Sequence, residues 1–321
     1  MIKRTIEISQ QPAHVTVQHS QLVLKREGSI VGQAPCEDVG VVLVDQPQVT
    51  YSHAALAALA ESDAVLVVCG RNHLPVAVLL PLADHTQVVW RINEQLAISR
   101  PLKKQLWRQL IQAKIRGQAR NLAGGSPARS KLLDYARQVR SGDPTNLEAQ
   151  AARVYWQNWL PEEVFRRDAD ASGLNALLNY GYAVMRAAVA RALVAAGLMP
   201  SVGLHHSNRS NAFCLADDVL EPLRPLVDDR ARELYRQGYD QLDVEAKAGL
   251  LKLLAEDVRL RRADSTTETG PLMVVLHRYI ASLVHCFQGE TKRLEIPEMV
   301  DSPEIDHQPQ EATPESLVPS P

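Results

Sequence analysis

The sequence predicts an α+β protein in which a β-rich N-terminal part precedes a larger helical part. Up to about residue 90, short runs rich in β-branched and apolar residues alternate with turn residues, a pattern typical of strands. From about residue 93 the pattern becomes that of helices, and a final stretch is rich in proline and acidic residues. We therefore predict a β-rich domain over 1–92, a helical domain over 93–289 and a disordered tail over 290–321.

Each predicted element has a local signal. In the first domain, Ser52 is suited to cap a helix over 54–60, whose residues are mostly alanine and leucine. The predicted strands cover 14–17, 22–24, 39–44, 64–69 and 75–80. Beyond two helical pieces within 100–140, the predicted helices cover 146–165, 173–197, 218–226, 229–238, 244–260 and 270–288. The first domain contains no catalytic constellation, which favours a role as scaffold or dimer contact.

Composition narrows the class of protein. The 321 residues are 45% hydrophobic and 22% charged, which is ordinary globular composition, and the length favours two domains. No apolar run approaches the ~20 residues that a membrane helix needs, so we expect no membrane partner. The four cysteines lie at least 33 residues apart and form no metal-binding pattern. Unpatterned cysteines of this kind fit reduced thiols, so we expect a cytoplasmic protein.

The segment 100–140 is strongly basic, although the formal net charge of the chain is only -2. It holds eleven Lys or Arg residues and a single acidic residue, Asp134. This density favours a polyanion such as DNA as partner, because neutralised phosphates release counterions; a plain solvated face is the alternative. The cations that we select as candidate DNA contacts, including one from a later loop, are Lys103, Lys104, Arg108, Lys114, Arg116 and Arg209.

Three further segments carry candidate catalytic side chains. Glu148 lies among small residues near a predicted helix start, where a solvated or capping glutamate is the alternative. His205 and His206 follow a glycine, and adjacent loop side chains diverge, so only one of them is expected to face a site. Asp218 and Glu221 are three residues apart and share one helical face. A plain acidic helix start is the alternative there.

A carboxylate, an imidazole and a second carboxylate form a mixed oxygen and nitrogen site. Such a site suits Mg²⁺ or Mn²⁺ better than Zn²⁺, and either ion can activate a phosphodiester for attack. The motifs GxxxxGK[ST], GxSxG and HExxH do not occur in the chain. The sequence gives the order of these residues and not their proximity.

Four motifs in this order resemble the CRISPR-associated spacer-acquisition integrase family (CRISPR-associated protein one). They are similar to E-G-x-A-A at 148–152, N-x-x-L-x-Y-G-Y at 175–182, G-x-x-H at 203–206 and D-L-M-E-P-F-R-P at 218–225. Ala149 departs from the pattern, because glycine is usual there. The resemblance covers about 1–288, and the double histidine is most similar to members from type II systems.

This resemblance implies an N-terminal β-sandwich domain followed by a larger all-α catalytic domain. It implies that Glu148, a histidine and Glu221 bind Mg²⁺ or Mn²⁺. The G-x-x-H pattern selects His206, with His205 as the alternative. Asp218 would bind the metal or position a nucleophile, and its neighbour Asp217 is a further candidate.

The resemblance also implies partners and a reaction. Family members form homodimers through the β domain and flank a small ferredoxin-like CRISPR-associated partner protein. They act on double-stranded DNA, inserting a short duplex into a CRISPR array by attack of a 3′-hydroxyl on a phosphodiester. Two alternatives remain open at this point. One is a DNA-binding scaffold without catalysis, and the other is an unrelated α+β regulator, for which we find no clear helix-turn-helix.

Overall fold

The computed structural model describes residues 3–71, 73–82, 86–168, 171–262 and 266–300, and it has the predicted α+β class. The strands are β1 Arg4–Ile8, β2 His14–Gln18, β3 Gln21–Arg26, β4 Ser29–Pro35, β5 Val39–Val44, β6 Thr50–Tyr51, β7 Val65–Cys69, β8 Pro75–Leu79, β9 Asp257–Arg261, β10 Thr267–Pro271 and β11 Pro297–Met299. The α-helices are α1 His53–Glu61, α2 Val88–Ala97, α3 Arg100–Arg120, α4 Pro127–Gln138, α5 Leu147–Asn158, α6 Leu174–Ala195, α7 Cys214–Leu220, α8 Arg224–Arg236, α9 Val244–Lys252 and α10 Leu272–Phe287.

Two four-stranded sheets build the N-terminal part, in the strand orders β1-β5-β7-β8 and β4-β3-β2-β6. Alternate residues of β5, including Val42 and Val44, share a core with the second sheet and α1. The opposite face of β5 contributes Val41 and Leu43 to the core of the helical part. Because this strand is covered on both faces, its sequence is an uninterrupted apolar run.

Helix α6 lies at the centre of the helical part, and most of its residues are buried. Its Gly181 lets α8 approach closely, because a Cβ there would lie 2.5 Å from Cγ1 of Val227. Helix α3 approaches the start of α8 in the same way at Gly117, where a Cβ would lie 2.9 Å from Cγ of Pro225. Two small residues therefore bring three helices together beside the candidate site.

Two ion pairs, one buried on both sides and one with a buried arginine, join the N-terminal part to the helices. Lys247 of α9 bonds the carboxylate of Asp45, which follows β5. Arg191 of α6 lies 2.5 Å from a carboxylate oxygen of Asp63 and donates to the Asp63 carbonyl oxygen, also at 2.5 Å. Breaking either pair would leave an uncompensated buried charge, which is costly, so these pairs fix how the two parts meet.

The helical part differs from the prediction in containing a three-stranded sheet, ordered β10-β9-β11. The helix predicted over 244–260 ends at Lys252, and 257–261 form a strand instead. Val258 and Leu260 alternate with exposed residues there, which is the period of a strand rather than a helix. Disorder from residue 290 is also wrong for 290–300, because β11 pairs with β9. The rest of the predicted tail, 301–321, lies outside the described residues.

The cysteine side chains and the lengths of the helices agree with the composition of the chain. All four cysteines are free thiols, and three of them are buried. In the part of the chain that the structure describes, no helix has both the length and the apolar character needed to cross a bilayer.

Candidate metal and DNA site

Glu148 lies in the first turn of α5, where the preceding residues hold the backbone in place. Asn146 adopts a left-handed conformation, which asparagine tolerates, and its side chain accepts from the amide of Ala149 at 3.3 Å. The carboxylate of Asp143 accepts from the amides of Leu147 and Glu148, each at 2.9 Å. The start of α5 is therefore well capped, and the Glu148 side chain is available to contact α3.

Lys114 of α3 brings two of the predicted site carboxylates together. Its Nζ lies 2.6 Å from Oε1 of Glu148 and 2.5 Å from Oε2 of Glu221. Both Lys114 and Glu221 are buried, with exposed fractions of 8% and 4%. Two carboxylates separated by 73 positions in the sequence thus lie close enough for one cation to contact both.

Arg224 gives Glu221 a second cationic partner, with its Nε 2.9 Å from Oε1 of Glu221. Burial opposes ionisation of Glu221, but the charges of Lys114 and Arg224 outweigh it and lower its pKa to about 2. Burial likewise acts to lower the pKa of Lys114, while Glu221 and Glu148 outweigh that effect and raise it. Glu221 and Lys114 are therefore charged at neutral pH.

Asp218 of α7 is completely buried, and its carboxylate contacts the preceding loop, which carries the two histidines. Its carboxylate accepts from the amides of Leu204, His205 and His206 at 2.6, 2.9 and 3.1 Å. Nδ1 of His206 also lies 2.6 Å from Oδ1 of Asp218. The carboxylate therefore organises the loop and orients one histidine.

Position 203 has no room for a side chain, so glycine is required there. A Cβ there would lie 2.3 Å from the carbonyl oxygen of His206 and 2.9 Å from Oδ2 of Asp218. Cys214 would be 3.0 Å away on a third side. The glycine of the G-x-x-H pattern thus lets the loop fold tightly over the Asp218 carboxylate.

The structure separates the roles of the two histidines. The contact between Nδ1 of His206 and Asp218 leaves Nε2 of His206 available to another partner. Its hydrogen bond to Asp218 raises the pKa of His206, although burial opposes the rise. His205 is exposed, and its ring stacks on Trp107 with centroids 4.1 Å apart. His206, rather than His205, therefore has the environment of a metal ligand that is oriented by a carboxylate.

Asp217 has partners other than those of Asp218. Its Oδ2 accepts from Nδ2 of Asn211 at 2.7 Å, and its Oδ1 lies 3.8 Å from Arg186. The two adjacent acids thus have different surroundings: Asp218 supports His206, and Asp217 supports the loop that precedes α7.

Behind Glu221 the site continues into a buried polar network. The guanidinium of Arg224 lies over the ring of Tyr182, 4.6 Å from its centroid. The Tyr182 hydroxyl donates to Asp228, and Tyr155 accepts from Nδ2 of Asn121 at 3.1 Å. Burial raises the pKa of Asp228 to about 6, although hydrogen bonds from Tyr182 and Tyr155 oppose the rise.

The raised pKa of Asp228 predicts a pH dependence of stability. A carboxyl group whose pKa is higher in the folded state contributes stability below its ordinary pKa of 3.8, and this contribution is lost as pH rises through about 6. Relative to Asp228→Asn, the unchanged protein should lose about 2 to 3 kcal/mol of unfolding free energy between pH 4 and pH 7. Urea unfolding of both proteins across that range measures the difference, and parallel pH profiles would contradict the expectation.

The cations that were predicted to contact DNA differ in their exposure to solvent. Lys104, Arg108 and Arg116 are exposed on α3, and Arg209 is exposed in the histidine loop. Lys103 is partly buried, and its Nζ donates to the carbonyl oxygen of Gly203 at 3.3 Å. Lys114 differs from the others because its charge is already compensated inside the site.

Lys114 was selected from the sequence as a DNA contact and not as a partner of the site carboxylates, and Arg224 and Trp107 were not selected as candidate residues. Lys114 falls on the apolar stripe of α3, among Trp107, Ile111 and Ile115, and a lysine at such a position is a signal for a buried partner. For Arg224 the sequence signal was weaker: it lies three residues after Glu221 in the fourth motif, a spacing at which two helical side chains can contact each other. Trp107 had no signal beyond being a single aromatic residue in a basic helix.

Among the described residues, no group of three His, Cys, Asp or Glu side chains is arranged to hold a metal ion. The physical reason is visible for the predicted ligands, because Lys114 lies between Glu148 and Glu221. The donor types still fit a divalent ion: two carboxylates share one cation, and Nε2 of His206 is available while Asp218 holds Nδ1. Hard oxygen donors with one imidazole suit Mg²⁺ or Mn²⁺.

Comparison with protein families supplies the decisive observation. The family described as CRISPR associated protein Cas1 matches residues 6–261, which include every predicted catalytic residue. The chain belongs to the Cas1 family. A CRISPR-associated endonuclease Cas1 from Neisseria meningitidis serogroup C is 36% identical over 303 residues, covering 92% of this chain and 96% of the relative. A second Cas1 endonuclease, from Pyrobaculum aerophilum, is 28% identical over 298 residues, covering 87% and 97%.

Solved structures show that the Cas1 fold extends over nearly the whole chain. A casposase bound to integration product superposes with a TM-score of 0.75 at 16% identity, covering 94% of this chain and 97% of the casposase. A Cas1 protein from Thermotoga maritima gives a TM-score of 0.70 at 15% identity, covering 94% and 100%. These similarities confirm the predicted α+β class of this Cas1-family chain.

Proposed function

We propose that this chain is a divalent-metal-dependent DNA endonuclease and integrase that inserts short DNA fragments into a CRISPR array. The observation that carries the proposal is the pairing of Glu148 and Glu221 around one cation, together with a histidine that is oriented by Asp218. The named activity of the relative from Neisseria meningitidis and the casposase with its integration product support the same chemistry.

The residues of this site have distinct proposed roles. Oxygen atoms of Glu148 and Glu221 and Nε2 of His206 would hold Mg²⁺ or Mn²⁺. When bound, such an ion polarises a phosphodiester and lowers the pKa of an attacking hydroxyl or water. Asp218 fixes the orientation of His206 through Nδ1, as second partners of metal-binding histidines generally do. Arg224 keeps Glu221 ionised.

The proposed reaction is a transesterification. The 3′-hydroxyl oxygen of the incoming fragment forms a bond to phosphorus, and the bond from phosphorus to the leaving oxygen breaks. The exposed cations Lys104, Arg108 and Arg116 would hold the DNA backbone during this exchange. Such contacts position DNA without reading bases, which suits an enzyme that accepts fragments of many sequences.

We also propose double-stranded DNA, a second copy of this chain and a small CRISPR-associated protein as partners. The homodimer would form through the N-terminal β domain, as the resemblance implies. Two comparisons support the other partners. A Cas6-RT-Cas1--Cas2 complex superposes with a TM-score of 0.73, although this chain spans 36% of that longer chain, and a Cas1-DNA complex superposes with a TM-score of 0.59.

A strand-transfer assay tests the proposal. The purified protein and its small partner are incubated with a short duplex and a repeat-bearing plasmid in Mn²⁺, Mg²⁺ or chelator. We expect joined product only with a divalent ion and none with Glu148→Ala. Glu245→Ala is the matched control, because Glu245 is an exposed glutamate in the first turn of α9 and should leave joining intact.

The alternative of a DNA-binding scaffold without catalysis makes the opposite prediction. A scaffold binds DNA equally well in chelator and yields neither joined nor cleaved product in any metal, with the partner present. That result, obtained with folded protein, would replace the integrase proposal. The buried pair of Lys114 and Glu221 disfavours it, because a scaffold gains nothing from two charged side chains removed from water.

A further inference from the structure

We propose that Lys114 is the resident counter-cation of the metal site. It holds Glu148 and Glu221 together before a divalent ion arrives, and it limits how tightly that ion binds. This inference rests on the proposed metal-dependent function and assigns to Lys114 a positioning role in place of the DNA contact expected from the sequence.

The ammonium group of Lys114 lies between the two carboxylates. A single Nζ contacts an oxygen of each carboxylate, at 2.6 and 2.5 Å, so the ammonium group takes a position that a bridging metal ion would compete for. Without a cation between them, Glu148 and Glu221 would repel each other. Lys114 therefore preserves the arrangement of the ligands in the metal-free protein.

The burial of Lys114 supports the same positioning role. The side chain is 8% exposed and lies on the apolar stripe of α3, with Ile111 and Ile115 buried on the same helix face. A lysine there is tolerated only with partners, since an unpaired buried ammonium is costly. Its four-carbon stem is flexible, so the ammonium group can withdraw from the carboxylates when a doubly charged competitor binds.

The charges of the two carboxylates are balanced by two cationic side chains. Glu148 and Glu221 contribute two negative charges, and Lys114 and Arg224 contribute two positive ones, so the four side chains together are neutral. A divalent ion therefore gains less attraction from these four side chains than it would from the two carboxylates alone. Arg224 differs from Lys114 because it contacts Glu221 alone and stacks on Tyr182, so it does not occupy the position between the carboxylates.

Removing the Lys114 charge should therefore tighten metal binding while weakening the metal-free protein. Manganese binding to the full-length chain is measured by calorimetry and by the EPR signal of free Mn²⁺, without DNA. For Lys114→Met we expect a Kd for Mn²⁺ at least tenfold lower than that of the unchanged protein. We also expect a lower Tm in chelator and a larger rise of Tm on adding Mn²⁺.

Two further variants make the test decisive. Lys131→Met is the matched control, because Lys131 is exposed on α4 and its substitution should leave the Kd unchanged. Lys114→Gln keeps hydrogen-bonding groups near both carboxylates without charge, and it should show the same tightening if Lys114→Met does not fold in chelator. Recovery of folded Lys114→Met by Mn²⁺ would also support the proposal.

The failure of this inference can be distinguished from failure of the metal site. If Mn²⁺ binds the unchanged protein and not Glu148→Gln, but both Lys114 variants bind it equally or more weakly, the resident-cation role is overturned and the metal site stands. If neither the unchanged protein nor any Lys114 variant binds Mn²⁺, the metal site and the inference both fall.

Discussion

Asp218→Ala should reduce strand transfer by about a hundredfold or more and lower the free energy of unfolding by about 3 to 5 kcal/mol. The carboxylate is fully buried and accepts from three consecutive backbone amides and from Nδ1 of His206. Its removal leaves all four donors without an acceptor and frees the ring of His206 to turn. Loss of a partner that orients a metal-binding histidine costs about 10- to 100-fold in metal affinity or activity, and loop disorder adds to that loss.

Urea unfolding in chelator measures the stability, so that metal binding does not contribute, and the strand-transfer assay measures the activity. Asp217→Ala is the matched control, because Asp217 is the adjacent acid and makes one side-chain hydrogen bond and one longer ion pair. We expect that control to lose about 1 kcal/mol or less. Equal losses in the two variants would show that the amide contacts of Asp218 do not organise the loop.

Gly203→Ala should reduce strand transfer by about a hundredfold while DNA binding is retained. The added Cβ would lie 2.3 Å from a backbone carbonyl oxygen, that of His206, which cannot move aside as a flexible side chain could. The loop must therefore shift, which separates His206 from Asp218. A displacement of about 1 Å in a catalytic group is enough for a loss of this size.

Gly32→Ala provides the control, because a Cβ at Gly32 would meet no atom within 4 Å. Strand transfer and filter binding of DNA are measured on both variants, together with the imidazole resonances of His206. We expect the resonances to change in Gly203→Ala only. Full activity of Gly203→Ala would mean that the close packing of this loop over Asp218 is dispensable.

Local sequence patterns were most informative where a residue's neighbours in the chain decide its structure. Ser52 caps α1 as predicted, with its hydroxyl accepting from the amide of Ala55 at 3.1 Å. The apolar run of 39–44 forms a strand because both of its faces are covered. The prediction failed at β9 and β11. The alternation of Val258 and Leu260 in β9 was too short to outweigh the helical pattern before it, and the three residues of β11 form a strand by pairing with β9.

At the candidate site, too, the sequence motifs indicated some features and only the structure showed the others. The four motifs gave the residue types and led to the family, and they selected His206 by its spacing from Gly203. They did not indicate that Lys114, 34 positions before Glu148, lies between the two carboxylates. A basic residue in a basic helix suggests a surface contact, and only its position on the apolar stripe of α3 suggested otherwise.

The sequence alone determined the α+β class through its hydrophobic patterns, and it led to the Cas1 family through four motifs in a fixed order. The proposed metal ligands were what the resemblance to that family implied. Only the tertiary structure decided which groups neutralise one another. The close approach of α3 to α8 at Gly117, together with the capped start of α5, brings Lys114, Glu148 and Glu221 to one point. Electrostatic balance depends on distances in space, and those distances are set by helix packing rather than by sequence order.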